Sequence, residues 1–479
     1  MITNLQCQAE LDKLESVIGP LDSHWRRSAG LSAGEVRRLR YEALDELARV
    51  HEPVFRRLTA LARFLPRGRA TRMALDLGPV LVARLLPHLD PLLVGRIARR
   101  LPPEFLAAAT VEADPRVLRA LVAHISPAQV AASAAILVQQ ERYIPAGQLA
   151  DVLSPPAIRE SLAIIQDNVA LLRLAFYMEQ PEKLGDIIRL IDNARLNQII
   201  LAGTTDKSAW PLMLWVIDQV GRDLKARIAN LMVSRDPAVL NELIEYADQK
   251  GLWGPVLRAL DAVKTRNRRI VVHLEALRNQ STLEHLVRAA YEEGLLANTL
   301  PLIEAMNADF QAYVASTGLK MGGNILEAFV HTAIQENKAD LILTLAGRLP
   351  DSEMDELATL GVFTEGFVLK PLIKAAITSG QVATLVRLAK ALSRRGQTLF
   401  AGLLAGDHGD LLERLLNRAD ALASRDWRNL VSVLGRLEAP EQVANIAEVM
   451  QWQSARTYDT LRNYAENAGL TSLFRSRRS

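Results

Sequence analysis

The sequence predicts an all-α fold, an α-solenoid assembled from a superhelix of short helices. Three observations predict it. Pro79, Pro91, Pro103, Pro115 and Pro127 recur every twelve residues, an internal period that marks a repeat. Hydrophobic residues make up 49% of the chain and aromatics only 5%, with Ala, Leu, Arg and Glu prominent, the composition of helices. β-branched runs bounded by turn residues are almost absent, so no sheet is expected. A chain of 479 residues exceeds one compact core, but a repeat array escapes that limit because each unit packs only on its neighbours.

Residues 1–75 read as longer amphipathic helices. Ser32 and Glu35 form a capping box that opens a helix over 33–50. A second helix is expected over 53–65. Between Pro53 and Leu75 stand Arg56, Arg57, Arg63, Arg67, Arg69 and Arg72, with no acid among them. Phe55, Leu58, Leu61, Phe64 and Leu65 supply an apolar side. A basic amphipathic segment of this kind suits an anionic membrane surface or a nucleic acid. Its bland alternative is a solvated face on a helix packed against the array.

Residues 76–165 hold the twelve-residue units. Proline suits the first helical position, where its missing N–H would be unpaired in any case. Gly78, Asp90, Pro102, Asp114 and Ser126 precede the prolines, and four of these five are good N-caps. Leu77, Leu89, Leu101, Ala113 and Ile125 pair with Val82, Val94, Leu106, Leu118 and Val130 as hydrophobic staples. This column marks Leu106 as buried. The next position is small in Ala83, Gly95, Ala107 and Ala131, with Arg119 the variable exception, and small residues there would let helices approach closely. A two-turn helix is unstable alone and must stack. Ser154-Pro155-Pro156 opens a further unit after an insertion around Tyr143-Ile144-Pro145.

Leu89-Asp90-Pro91, Leu101-Pro102-Pro103-Glu104 and Leu153-Ser154-Pro155-Pro156 resemble the short-helix superhelical N-domain of MgtE-type magnesium transporters. The resemblance covers residues 75–165, about a fifth of the chain. It implies a fold, a cytoplasmic solenoid of short helices. The acidic magnesium-sensing surfaces of that family have no counterpart in this sequence, so no transport function is carried over.

Residues 166–479 read as longer HEAT/TPR-like helical pairs. Asp236-Pro237 opens a helix that Gly251 closes, and Gly254-Pro255 opens the next. Ser281 caps another, with Glu284 completing a capping box. Later helices are expected over 381–394, 410–421, 426–436 and 440–450, where apolar residues recur at three- and four-residue spacing. Gly318–Asn324 reads as an irregular loop and candidate junction.

No catalytic constellation emerges. Eight histidines are scattered, and none forms a metal-ligand pattern with a cysteine or a second histidine. His273 and His285 could share adjacent helices. Asp407-His408-Gly409-Asp410 could hold a general base, but no nucleophile accompanies it, and Asp410 reads as a helix cap. Gly322-Gly323 lacks the spacing and lysine of a phosphate loop. No cofactor or metal is expected, and the chain does not read as an enzyme. Ala209–Ile217 is the most apolar patch, and Trp210, Met213 and Trp215 are its candidate contacts for a hydrophobic ligand, on an inner face expected to be oily.

The formal net charge is +3, near balance for this length, which argues against a general polyanion binder. Smaller basic clusters occur at Lys264, Arg266, Arg268 and Arg269 and at Arg475, Arg477 and Arg478. Cys7 is the single cysteine, so no internal disulfide forms, and a reducing compartment fits. The N-terminal residues lack a basic region and an apolar core, and no stretch reads as a membrane span. These features suggest a cytoplasmic protein of bacterial type, or one peripheral to a membrane. The leading functional reading is a non-enzymatic scaffold that recognises a protein or peptide partner. A carrier for a hydrophobic, lipid-like small molecule is the first alternative. A HEAT-like nucleic-acid binder is the second, and the near-neutral charge counts against it.

Overall fold

The computed structural model describes residues 2–22, 30–62, 66–406, 410–419, 422–437, 439–451 and 453–470. His24, Trp25, Arg63, Phe64, Leu65, Asp407, His408, Trp452, Arg475, Arg477 and Arg478 lie outside them. Among the described residues all regular secondary structure is helical, without a strand. It is an all-α solenoid that divides into two compact units, Met1–Lys264 and Thr265–Ser479.

The first unit opens on a hairpin of α1 (Ile2–Ile18) and α2 (Ala33–Ala62). Leu11, Leu14 and Val36 form its core. The capping box at the start of α2 is present. Ser32 N–H donates to Glu35 Oε2 at 2.7 Å, and Glu35 N–H donates to Ser32 Oγ at 3.3 Å. The break expected at Pro53 does not occur, because α2 runs through it. Pro53 is exposed, so its ring is accommodated on the solvent side of a continuous helix.

Then come α3 (Arg67–Leu85), α4 (Pro91–Ala98), α5 (Pro103–Glu112), α6 (Pro115–Val122), α7 (Pro127–Gln139), α8 (Tyr143–Ala150), α9 (Pro155–Ile164) and α10 (Asn168–Phe176). Pro91, Pro103, Pro115 and Pro127 each begin their helix. Pro79 lies within the span of α3, but Gly78 before it has φ 78° and ψ 164°. That residue breaks the helix, and its positive φ is available to glycine at little cost. Asp90, Asp114 and Ser126 cap by accepting from Leu92, Arg116 and Gln129 N–H. Ser154 makes no such bond. The insertion around Tyr143-Ile144-Pro145 is a short helix, α8.

Alternate helices pack together. α3, α5, α7 and α9 form one succession, and α4, α6, α8 and α10 another. The small column permits this. A Cβ on Gly95 would lie 2.6 Å from the His124 carbonyl oxygen, and one on Gly147 would lie 2.5 Å from the Leu174 carbonyl oxygen. Ala83, Ala107 and Ala131 are buried, and Arg119 is exposed. In the staple column Val94, Leu118 and Val130 are buried, but Leu106 is only half-buried. Leu106 borders an internal cavity, as Val82, Val94, Leu118 and Val130 of the same column also do. The unit continues through α11 (Leu184–Arg189), α12 (Asn193–Thr205) and α13 (Trp210–Gln219) into further helices.

The second unit repeats the alternation with longer helices. Ala339–Arg348 packs on Gly366–Ser379, which packs on Arg394–Ala405, which packs on Ser424–Leu434. Its core includes Phe363, Phe400, Leu412 and Leu434. Gly318, Leu319 and Lys320 belong to the helix Ala308–Lys320, and only Met321-Gly322 separate it from Gly323–Gln335. The expected irregular loop is therefore a two-residue turn, made by Gly322 at φ 110°. Asn279, not Ser281, caps Gln280–Glu292, since its carboxamide oxygen accepts from Ser281 and Thr282 N–H.

Candidate functional site

The interior of the short-helix array is incompletely filled. The first cavity, about 160 Å³, lies among α2 through α7 and Leu149 of α8. Leu58 of α2, Met73 and Leu77 of α3, Ile97 of α4 and Phe105 of α5 border it. Its polar groups are the hydroxyls of Thr59, Thr110 and Ser133, and all three donate to carbonyls of their own helices. No charged side chain lines it. A guest there meets hydrocarbon and has no polar group to anchor it.

A second cavity of about 120 Å³ lies on the other side of α7. Val130 and Ser133 face the first cavity, while Ala134 and Val138 face the second. Its walls are equally aliphatic, with Ile187, Ile199 and Met213 among them. Within the second unit, a smaller cavity of about 80 Å³ is bordered by Met306, Phe310 and Phe329.

Of the three patch residues, Met213 alone lines an apolar cavity. Trp210 and Trp215 share α13 with it, and each is 1% exposed. Trp210 meets Tyr246 edge-on at 5.1 Å, and its Nε1 donates to the Thr204 carbonyl at 3.1 Å. Trp215 meets Phe176 edge-on at 5.3 Å, and its buried Nε1 has no hydrogen-bond partner. Both indoles are packed between helices.

Arg56, Arg57, Arg69 and Arg72 are exposed. Arg67 begins α3. Arg56 is paired with Glu52 at 2.8 Å.

Sequence reasoning missed a buried ionic cluster in the first unit. Lys13, Glu10 and Arg40 are 1%, 2% and 0% exposed. Lys13 Nζ donates to Glu10 Oε1 and to the Met178 carbonyl, both at 3.0 Å, and lies 3.6 Å from Glu179 Oε1. Arg40 Nη2 donates to Glu179 Oε2 at 2.7 Å and to Glu10 Oε2 at 3.1 Å. Arg37 Nη2 reaches Glu10 Oε1 at 2.9 Å. Burial alone would raise the Glu179 carboxyl, but Lys13 and Arg40 outweigh it and hold the group below its usual range. Asp151 accepts from the N–H groups of Glu179 and Gln180. Burial nevertheless pushes its carboxyl up to about 6. Beside the cluster runs an open groove of about 390 Å³, bordered by Gln6, Arg37, Phe176, Glu182, Trp215 and Gln219.

Among the described residues, no group of three or more His, Cys, Asp or Glu could hold a metal ion. His273 Nδ1 lies 2.6 Å from the Arg269 carbonyl oxygen, and His331 Nε2 lies 2.9 Å from Glu365 Oε2. No helix among the described residues is long and apolar enough to cross a membrane.

No protein-family model and no curated protein matches the chain. Among solved structures, it is similar to a circular tandem repeat protein with novel repeat topology and enhanced subunit contact surfaces. The identity is 15%, over 99% of this chain and 92% of that one, and the TM-score is 0.17. A superposition at that level carries no argument about shape or function.

Proposed function

We propose that the protein is a non-enzymatic binding protein whose short-helix array holds an apolar small molecule, or the hydrocarbon part of one, in its interior. The first cavity carries this reading. An engineered apolar cavity of about 150 Å³ accepts benzene, and this one is about 160 Å³ with its three hydroxyls already satisfied. The cavity reaches the surface at Leu58 and Met73, so an aliphatic guest would take its own hydrocarbon and the exposed apolar lining out of water together. The MgtE-like capping pattern of residues 75–165 bears on the fold alone and leaves this reading untouched.

The test is titration of the delipidated protein with medium-chain fatty acids and isoprenoid alcohols, read by thermal unfolding. A saturable rise in Tm for aliphatic ligands, absent for polar analogues, supports the reading. An unchanged Tm across the whole series sinks it.

A second reading, recognition of a protein or peptide, is supported by a different observation. The groove beside the ionic cluster is bordered by Gln6, Arg37, Glu182 and Gln219, with the buried Phe176 and Trp215 behind them, and Arg is enriched where proteins meet. Affinity capture with the wild-type chain and with Arg37→Ala as bait tests it, since a partner of this groove is lost from the variant.

A further inference from the structure

We propose that the face formed by the second half of α2 and by α3 docks on the surface of an anionic lipid bilayer. This goes beyond the binding of an apolar guest and does not depend on it.

The first observation is where the oil lies on the surface. Nine of the fifteen large hydrophobics exposed among the described residues fall between Leu39 and Leu92. On α2, Leu47, Val54 and Leu58 follow one another at spacings of seven and four, which aligns them along one side of the helix. On α3, Met73 stands one turn after Arg69 and shares its side.

The second observation is which charges are left over. Every acid in the second and third turns of α2 and beyond is already engaged: Glu42 with Arg38, Asp45 with Arg116, Glu46 with Arg49 and Glu52 with Arg56. Arg57, Arg69 and Arg72 are exposed and have no ion-pair partner among the described residues. No acid occurs from Pro53 to Leu75. Asp76, the one acid of α3, is exposed and sets a single negative charge against these three arginines, so the uncompensated charge of this face is positive, while the whole chain is near balance.

The third observation is continuity with the interior. Leu58 and Met73 are 45% and 42% exposed, yet both also border the first cavity. The face that carries the arginines is thus the one on which the cavity comes to the surface.

Aliphatic side chains at the acyl boundary and guanidinium groups at the phosphates are what an anionic interface accepts. An acidic amphipathic protein helix would satisfy the same charges. The bilayer is favoured because the exposed apolar groups spread over two helices and a cavity mouth, a wider surface than the single groove a helix occupies.

The experiment is flotation of the full chain with vesicles of phosphatidylcholine alone, or of phosphatidylcholine with phosphatidylglycerol, at low and high salt. Binding to the anionic vesicles only, weakened by salt, is expected. The triple variant Arg57→Glu, Arg69→Glu, Arg72→Glu lowers that binding by at least about a hundredfold, and Leu58→Ser with Met73→Ser weakens it at all salt concentrations. Circular dichroism confirms that these surface variants fold. Equal binding to neutral vesicles, no binding to anionic ones, or full binding by the triple variant overturns the proposal. So does capture of an acidic helical peptide by this face with no vesicle binding. A protein that docks on vesicles but takes up no fatty acid leaves the docking face intact and removes the cavity reading alone.

Discussion

Arg40 and Glu179 meet across 139 residues of sequence, with Nη2 2.7 Å from Oε2, the arginine fully buried and the glutamate side chain 10% exposed. One residue stands on α2 and the other follows α10, so the contact ties the N-terminal hairpin to the short-helix array. Arg40→Met removes the cation and leaves Glu179 and Glu10 short of charge in a buried site. Breaking such a pair from one side costs about 3–5 kcal/mol. Urea unfolding should show a loss of that size, with hydrogen exchange rising first in α1 and α2. Arg38→Met, which breaks the exposed Arg38–Glu42 pair on the same helix, should leave the midpoint where it was. Equal effects from the two variants would mean that the cluster does not hold the hairpin.

The same cluster sets a pH dependence. Burial raises the Asp151 carboxyl from 3.8 to about 6, so the folded state binds this proton more tightly than the unfolded state. Its contribution favours folding at low pH and is lost as pH rises from about 4 to about 6, by on the order of 3 kcal/mol. Glu179 runs the opposite way: its depressed carboxyl supports the fold above the usual range of a carboxylate and loses that support as pH falls. Asp151→Asn removes only the first of these. Unfolding at pH 4 and pH 7 should show the wild type losing stability relative to the variant at the higher pH. A constant difference between the two proteins would show that Asp151 titrates normally.

Gly95 tests the close packing of the array. Nothing flexible stands in the way of a Cβ there, since the obstructing atoms belong to the backbone and Cβ of His124. Gly95→Ala should therefore cost about 1–3 kcal/mol through forced separation of α4 from the His124 turn. Gly68, in the first turn of α3, has nothing within 4 Å of the place a methyl group would take, and Gly68→Ala should be neutral or gain up to about 1 kcal/mol from helix propensity. Thermal unfolding of the pair separates tertiary crowding from propensity.

These contrasts show which levels of structure were legible in the sequence. Proline, cap and staple are local, each set within a few residues, and Pro91, Pro103, Pro115 and Pro127 stand where that chemistry puts them. Local rules misled where tertiary contacts compete with them. Pro53 sits inside a long helix, and Gly318 is absorbed into one. The ionic cluster was invisible because Glu10, Lys13, Arg40 and Glu179 converge only after the hairpin docks. A signal was nonetheless present: Glu10 and Lys13 interrupt the buried face of Ala9, Leu11 and Leu14 on α1. Charges at such positions call for buried partners. The cavities left no local trace, since a repeated column of apolar residues looks the same whether it meets a neighbour or a void.

Leu106 and Leu118 occupy the same column but differ in burial. Leu118 is 5% exposed, whereas Leu106 is half-buried, and both border the first cavity. Truncating the better-buried residue forfeits more contact, so Leu118→Ala should cost about 2–4 kcal/mol and Leu106→Ala less. The converse change is more informative. Ala109 borders the same cavity from α5, and Ala109→Leu adds three carbons pointed at space that no protein atom fills. Each buried methylene is worth about 0.8 kcal/mol, so the guest-free protein should gain about 2 kcal/mol if the void accepts the new side chain without strain. The added carbons also consume volume that a guest needs. Stability should therefore rise while the ligand-induced shift in Tm shrinks, and the two changes should appear together in one thermal-unfolding series with and without fatty acid. A variant that is destabilised in the absence of ligand would show that the helices around α5 already close on that space, leaving no room for a guest.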